Sequence, residues 1–358
     1  MYRKNKIYHV DYKYQYKGRT HGILAMKTGG GLILGIESSC DDTGAALVDE
    51  EGGVHSSVIA PQTHIHAQYG GVYPEFASRA HVLSIIPAIE RAFAEARVHP
   101  GDIAAIGVTR GPGLIGPLLV GLNTAEALGL GWGIPVIGVN HLRGHLRSAD
   151  LEEKRILLPA ILLLVSGGHT FLARMARMDS IELLGSTRDD SVGEAYDKVA
   201  RMLDLGYPGG PVIDRLAATG CADIPFPRPM IANGLEFSFS GLKSAVARYL
   251  SRSPDFERAD VAASFVAACM DTLLIKCRRA LTAWPSASLV IVGGVAASPQ
   301  LRAGAEALCK EIGVGLCLPP VRWSTDNGAM IALAAWDSLK SGRHSKPVVQ
   351  ANLPITEF

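Results

Sequence analysis

No run in this chain is long and apolar enough to cross a membrane as a helix. The longest, near Ile156 to Val165, falls far short of the roughly 20 residues a bilayer requires. The 6 cysteines, Cys40, Cys221, Cys269, Cys277, Cys309 and Cys317, form no C-x-x-C pair and no zinc-knuckle spacing. That excludes a dithiol redox motif and reads as reduced, mostly buried thiols of a cytosolic protein. Charge of either sign is not in excess: the formal net charge is +1, so no global basic field announces nucleic acid. An RNA partner would need a local patch, or patches supplied by other proteins. There is no G-x-x-x-x-G-K-[ST], which excludes a P-loop nucleotide site, and no H-E-x-x-H, which removes the zinc-protease reading.

What is there is a chain of 358 residues, 48% apolar and 19% charged, long enough for about two domains with real cores. Residues 1–25 differ from the rest. They carry Arg3, Lys4, Lys6, Lys13, Lys17 and Arg19 against one acid, Asp11, together with Tyr2, Tyr8, Tyr12, Tyr14 and Tyr16. They lack the apolar segment of a secretory signal and read as an extension upstream of a natural start at Met26, with a basic aromatic arm touching RNA as the alternative.

From Gly31 strands and helices alternate. Leu32–Ile36 and Ala45–Val48 read as a hairpin around the polar turn Glu37–Gly44, whose acids Glu37, Asp41 and Asp42 are candidate catalytic carboxylates. Helical spacing is expected over His81–Arg97 and Leu118–Leu130, with a strand at Ile103–Thr109. The pattern then recurs. Ala160–Val165 and Thr170–Ala173 flank the tight turn Ser166–His169, and the strand Leu289–Val292 feeds Gly293-Gly294 and a helix from Gln300 to Leu308. Two similar α/β halves imply a ligand cleft between them. The Gly- and Pro-rich block Gly206–Gly241 reads as ordered loop.

Gly111-Pro-Gly-Leu-Ile-Gly116 spells the dinucleotide fingerprint G-x-G-x-x-G. The acid expected about 20 residues on is missing, and Pro112 and Pro117 remove amide donors that a pyrophosphate would need. Leu164-Val-Ser-Gly-Gly168 and Val292-Gly-Gly-Val295 are better anion loops, because adjacent glycines let backbone N–H groups approach closely.

His141 and His145 follow the apolar run Ile134–Val139. At i and i+4 on a helix their Cβ atoms lie about 5–6 Å apart on one face, so two ring nitrogens can converge on one ion. Asp326, ahead of the helix expected over Gly328–Leu339, is by default an N-cap. In a two-lobed molecule that last helix can return to the first lobe and bring Asp326 to the histidines. A His-His-Asp set with open positions suits Fe(II) or Zn(II).

These motifs resemble those of the tRNA N6-adenosine threonylcarbamoyltransferases of the bacterial TsaD type, from about Leu32 to near the C-terminus. The resemblance rests on Gly35–Thr43, Tyr69–Arg79 with His81, Asn140–Leu146, Leu164–Thr170, Gly193–Lys198, Tyr207–Gly210, Phe237–Lys243 and Ser324–Ala332, in family order. It implies an actin-like, Hsp70-like ATPase fold of two duplicated RNase H-like lobes around a cleft. Residues 26–157 with 325–358 would form the metal lobe and 158–324 the nucleotide lobe. It implies His141, His145 and Asp326 as ligands of one divalent metal, Fe(II) before Zn(II). Leu164, Val165, Ser166, Gly167, Gly168, Asp197, Gly210, Asp214 and Ser298 would line the substrate pocket. The implied donor is threonylcarbamoyl-AMP, made by a TsaC-type enzyme. The implied acceptor is N6 of the adenosine 3' of the anticodon in tRNAs reading ANN codons. A TsaB-like paralogue and a TsaE-like ATPase are the implied protein partners, and the place is the cytoplasm. Three positions depart from the common pattern: Arg143 where Glu is frequent, Asp42 for Glu, and Ser298 for an Asn. A silent scaffold like the paralogue and an ATP-dependent sugar kinase on the same fold are the alternative readings.

Overall fold

The computed structural model describes residues 31–153, 155–253, 255–342 and 347–357; the extension expected at 1–25 lies outside the described residues. In chain order the first half contains β1 (Leu32–Glu37), β2 (Asp42–Val48), β3 (Val54–Pro61), α1 (Thr63–His66), α2 (Pro74–Ala96), β4 (Ile103–Gly111), α3 (Ile115–Trp132), β5 (Val136–Asn140) and α4 (His141–Ser148). The second contains β6 (Ala160–Val165), β7 (Thr170–Arg177), β8 (Ser180–Ser186), α5 (Val192–Met202), α6 (Gly209–Ala217), α7 (Ser240–Arg252), α8 (Arg258–Ala283), β9 (Ser288–Val292), α9 (Pro299–Ile312), β10 (Gly315–Cys317) and α10 (Gly328–Ser341).

The two sheets repeat one plan. The first is ordered β3-β2-β1-β4-β5 and the second, read the same way, β8-β7-β6-β9-β10. In each, the first three strands pair antiparallel and the last two join parallel. The central strands β1 and β6 are buried along their whole length, as continuous apolar runs with both faces covered should be.

Three local readings change. Both halves carry a third antiparallel strand, β3 and β8. Each mixes polar and apolar residues at an exposed edge, so neither gives a clean period of two. Helix α2 starts seven residues before His81, with Pro74 in its first turn, where a missing N–H costs nothing. The block 206–241 is not all loop, because it contains α6, whose Ile213 and Ala217 face the core at i, i+4.

Helix α4 holds the centre of the molecule. Leu142 and Leu146 share a buried cluster with Leu162, Leu164, Phe171 and Val292 of the second sheet. Its other side packs on α10, which lies across β1, β2 and β4 of the first sheet. The chain's last helix therefore returns to the first sheet, and Trp336 Nε1 pins it by donating to Val48 O at 3.1 Å. Among the described residues no helix is long and apolar enough to span a membrane.

Candidate metal centre

Three segments meet beside the N-terminal turn of α4: the end of β1, α4 itself, and the loop before α10. Glycines make the approach close enough. A Cβ on Gly144, between the histidines, would stand 2.7 Å from Ile331 Cδ1 of α10. A Cβ on Gly328 would stand 2.6 Å from Gly35 O, and one on Gly44 2.7 Å from Gly328 N. Gly144 makes room for the Ile331 side chain, and backbone rests on backbone at Gly328 and Gly44, which carries Asp326 to the histidines.

Asp326 is not the cap of α10. Asn327 is, its Oδ1 accepting Met330 N at 2.9 Å. Asp326 Oδ1 instead lies 3.2 Å from His145 Nε2 and 3.6 Å from His141 Nε2. One ligand atom from each of the three residues lies within 4.8 Å of the others. Ligands held at about 2.0–2.1 Å from a common ion stand about 3–3.4 Å apart, which the 3.2 Å separation meets and the 3.6 Å separation approaches. His145 is buried, and neither of its ring nitrogens completes a hydrogen bond. A buried polar atom without a partner is costly, and a metal ligand is one way to satisfy it. The residues present thus fit a divalent ion.

His141 is oriented from behind. Its Nδ1 lies 2.9 Å from Glu37 Oε2 and 3.2 Å from Ser39 Oγ. Glu37, fully buried, also accepts Thr109 Oγ1 at 2.7 Å and Ser39 N at 2.6 Å. A carboxylate accepting from Nδ1–H leaves Nε2 free to face the ion. Burial disfavours charge on His141, but the carboxylates of Glu37 and Asp326 outweigh it and lift its pKa to about 9. Burial would raise Glu37 as well, yet the charge and hydrogen bond of His141 hold it below its ordinary value. Asp326 is half-buried, and the charges of His141 and His145 keep its carboxyl well below the usual range.

The other expected site residues divide between this centre and the second half. Asp42 is pushed to about 7 by burial and by the charges of Asp41, Asp326 and Glu37. Asp41 Oδ2 accepts the Tyr207 hydroxyl at 3.1 Å, a contact between the first hairpin and the segment leading into α6. Leu164 and Val165 bury their side chains in the second sheet, so only their backbone is available to a ligand. Ser166 Oγ accepts His169 N at 3.1 Å and closes the turn that exposes Gly167 and Gly168. That turn abuts Gly193 at the start of α5, and β6 ends against Gly293. Asp197 accepts Gly209 N at 2.8 Å, one residue before Gly210, and burial raises its pKa. Asp214 accepts the Tyr196 hydroxyl at 3.2 Å and is raised by burial. Ser298 is buried, its Oγ donating to Gln300 Oε1 at 3.2 Å, while Gln300 Nε2 donates to Asp214 O.

His169 is the residue the sequence reading passed over. It belongs to the second half but is pushed down to about 4, first by burial and then by His141 and His145. Its place directly after Ser166-Gly-Gly168, in the turn between β6 and β7, is the sequence signal for it.

Two like-ordered sheets with a His-His-Asp centre beside the helix between them define a two-lobed protein of the actin-like ATPase fold. Solved structures share that fold at low identity. The activator of the 2-hydroxyisocaproyl-CoA dehydratase from Clostridium difficile, with bound ADPNP, matches at TM-score 0.51 and 14% identity, covering 87% of this chain and 97% of that one. Component A of the (R)-2-hydroxyglutaryl-CoA dehydratase of Acidaminococcus fermentans matches at 0.52 and 14%, covering 87% and 99%. HypF of T. kodakarensis matches at 0.58 and 13%, covering 87% of this chain and 48% of HypF. The chain belongs to the TsaD family, tRNA N6-adenosine threonylcarbamoyltransferase, whose sequence profile matches residues 53–333. That span includes His141, His145 and Asp326, and its activity is tRNA modification by group transfer.

Proposed function

We propose that this protein transfers the threonylcarbamoyl group of threonylcarbamoyl-AMP to N6 of the adenosine 3' of the anticodon in tRNAs reading ANN codons. The observation that carries the reading is the buried His141–His145 pair with half-buried Asp326 beside it, within a chain of this family. In the reaction the N6 amine attacks the carbamoyl carbon, a C–N bond forms, and the C–O bond to phosphate breaks. AMP leaves with the electron pair, and one N6 proton is lost.

A divalent ion, Fe(II) or Zn(II), would act as a Lewis acid toward substrate oxygens when held by His141, His145 and Asp326. Glu37 keeps the His141 ring in one orientation and one tautomer. Asp42, with a pKa of about 7, is suited to take the N6 proton at neutral pH, with Asp41 beside it. The Ser166–Gly168 turn, Asp197, Gly210, Asp214 and Ser298 are read as the pocket for the adenylate. Ser298 is already engaged with Gln300, so it offers less to a ligand than a longer amide would. A TsaB-like paralogue, a TsaE-like ATPase and a TsaC-type donor-forming enzyme complete the system, acting in the cytoplasm on tRNA.

The test is to incubate the protein and those partners with threonylcarbamoyl-AMP and tRNA, digest the RNA, and detect the modified nucleoside by mass. Modified nucleoside from wild type, but not from Asp326→Ala, supports the reading. Equal yield from both overturns the metal centre. No product from wild type, with the donor intact, overturns the transfer itself.

A further inference from the structure

Arg143 sits between the two histidines and points away from both, because i+2 lies on the opposite side of a helix. What it meets there is the segment that closes the chain. Arg143 Nε donates to Ile355 O at 3.0 Å. Asn140, the residue before His141, uses both ends of its amide. Its Oδ1 caps α4 by accepting Leu142 N at 2.9 Å. Its Nδ2 donates to Pro354 O at 2.8 Å and to Glu357 O at 3.1 Å.

The same segment is tied down on its way to α4. Gln350 N donates to Arg110 O at 2.8 Å, and Gly113 N donates to Ala351 O at 3.1 Å. Leu353 and Ile355 are each only 3% exposed, and Ile355 joins the cluster that buries Leu142 and Leu146. So the first turn of α4 is held on one side by α10 and the second sheet, and on the other by residues 350–357. Nothing else on that side supplies acceptors to Asn140 Nδ2 among the described hydrogen bonds.

We propose that the closing segment, residues 350–357, is a positioning element of the His141–His145–Asp326 centre, acting through Asn140 and Arg143. It fixes the first turn of α4 and so the direction in which His141 Nε2 points. Arg143 is then the external clamp of the metal helix, which accounts for a cation at a place where the histidines have no use for one. The inference rests on the metal reading above for its consequence, but the clamp itself does not.

The test uses the full chain with Asn140→Asp and Arg143→Gln combined. Asp at position 140 keeps the capping oxygen and removes the donor to the segment. Two measurements are made on metal-free protein: Co²⁺ affinity by its visible spectrum, and hydrogen exchange of the amides of residues 142–146. The expected result is a cooperative, folded protein whose Co²⁺ affinity falls about 10- to 100-fold, the usual effect of losing a group that orients a ligand. The α4 amides should exchange faster, while those of β6 do not change. Arg143→Lys alone, which keeps both the cation and a donor, should lose less affinity than the double variant. Unchanged Co²⁺ affinity and unchanged exchange in the double variant overturn the proposal. If wild type binds no Co²⁺, the metal reading fails, and exchange at α4 alone still decides the clamp.

Discussion

Glu37 Oε2 stands 2.9 Å from His141 Nδ1, and the same carboxylate takes three hydrogen bonds from Ser39, Thr109 and His141 while fully buried. Glu37, expected as a catalytic carboxylate, is held against the His141 ring, and under the metal centre proposed above it orients that ring. Its substitution should therefore read out first as metal affinity.

Glu37→Gln keeps the shape but removes the charge and weakens the hold on His141 Nδ1–H. Zn²⁺ or Co²⁺ affinity should fall about 10- to 100-fold, with activity at saturating metal reduced less than in Asp326→Ala. Metal titration of the two purified variants checks this. Equal loss of activity in both at saturating metal would return Glu37 to a direct catalytic role.

The pKa of about 9 at His141 gives the metal-free protein and the metal-bound protein opposite pH responses. In the metal-free protein the folded value is raised above the ordinary 6.5. The stability contribution is therefore complete below pH about 6.5 and is lost as pH rises through about 9. Metal binding requires that proton to leave, so affinity should rise with pH by roughly tenfold per unit below about 9. Thermal melts without metal and Co²⁺ titrations, both between pH 6 and 8, should show the melting point falling while affinity climbs.

Much of this was readable in the chain. Buried runs such as Ala160–Val165 and the repeated strand–turn–strand plan announced two like halves, and the i, i+4 histidines announced a shared face. What stayed hidden depended on distant packing. That Asn327 caps α10 and frees Asp326 depends on Gly328 resting on Gly35 and Gly44, both far from it in sequence. The role of Glu37 depends on β1 ending beside α4, which a local motif does not encode. The edge strands β3 and β8 were hidden for a different reason, since a half-exposed edge mixes residue types and blurs the alternation.

Gly144→Ala tests the approach of α4 to α10. The added carbon meets Ile331 Cδ1 at 2.7 Å and Met330 Cγ at 3.2 Å, so the two helices must separate or Ile331 must shift. The loss should be about 1–3 kcal/mol, typical of overpacking, measured by urea denaturation. Metal affinity should fall with it, because Asp326 rides on α10. Gly144→Ala combined with Ile331→Val, which removes a methyl at the contact, should recover part of both.

Asp326 and Asn327 are neighbours with separable duties. Asn327→Ala removes the cap of α10 and should cost about 1 kcal/mol of stability. Because Asn327 is buried, its metal affinity is expected to drop only as far as the loop loosens. Asp326→Asn should do the reverse, abolishing metal binding and tRNA modification while α10 stays capped. Denaturation midpoints and metal content measured on both variants would show the two effects crossing. Parallel losses in both would mean that the loop acts as one structural unit.

The Tyr207 hydroxyl, 3.1 Å from Asp41 Oδ2, joins the segment ahead of α6 to the first hairpin turn. It ties the half that carries Asp197 and Asp214 to the half that carries the histidines. Tyr207→Phe removes only the hydroxyl, and a net hydrogen bond is worth about 0.5–1.5 kcal/mol. If the contact aligns the two halves around the adenylate, the cost falls on assembling the bound state. The KM for threonylcarbamoyl-AMP should then rise about two- to tenfold, with metal content unchanged. Asp41→Asn keeps an acceptor for the hydroxyl and should show a smaller rise in KM, so comparing the two separates alignment from the charge on Asp41. An unchanged KM in Tyr207→Phe with a reduced kcat would place the hydroxyl in the chemical step instead.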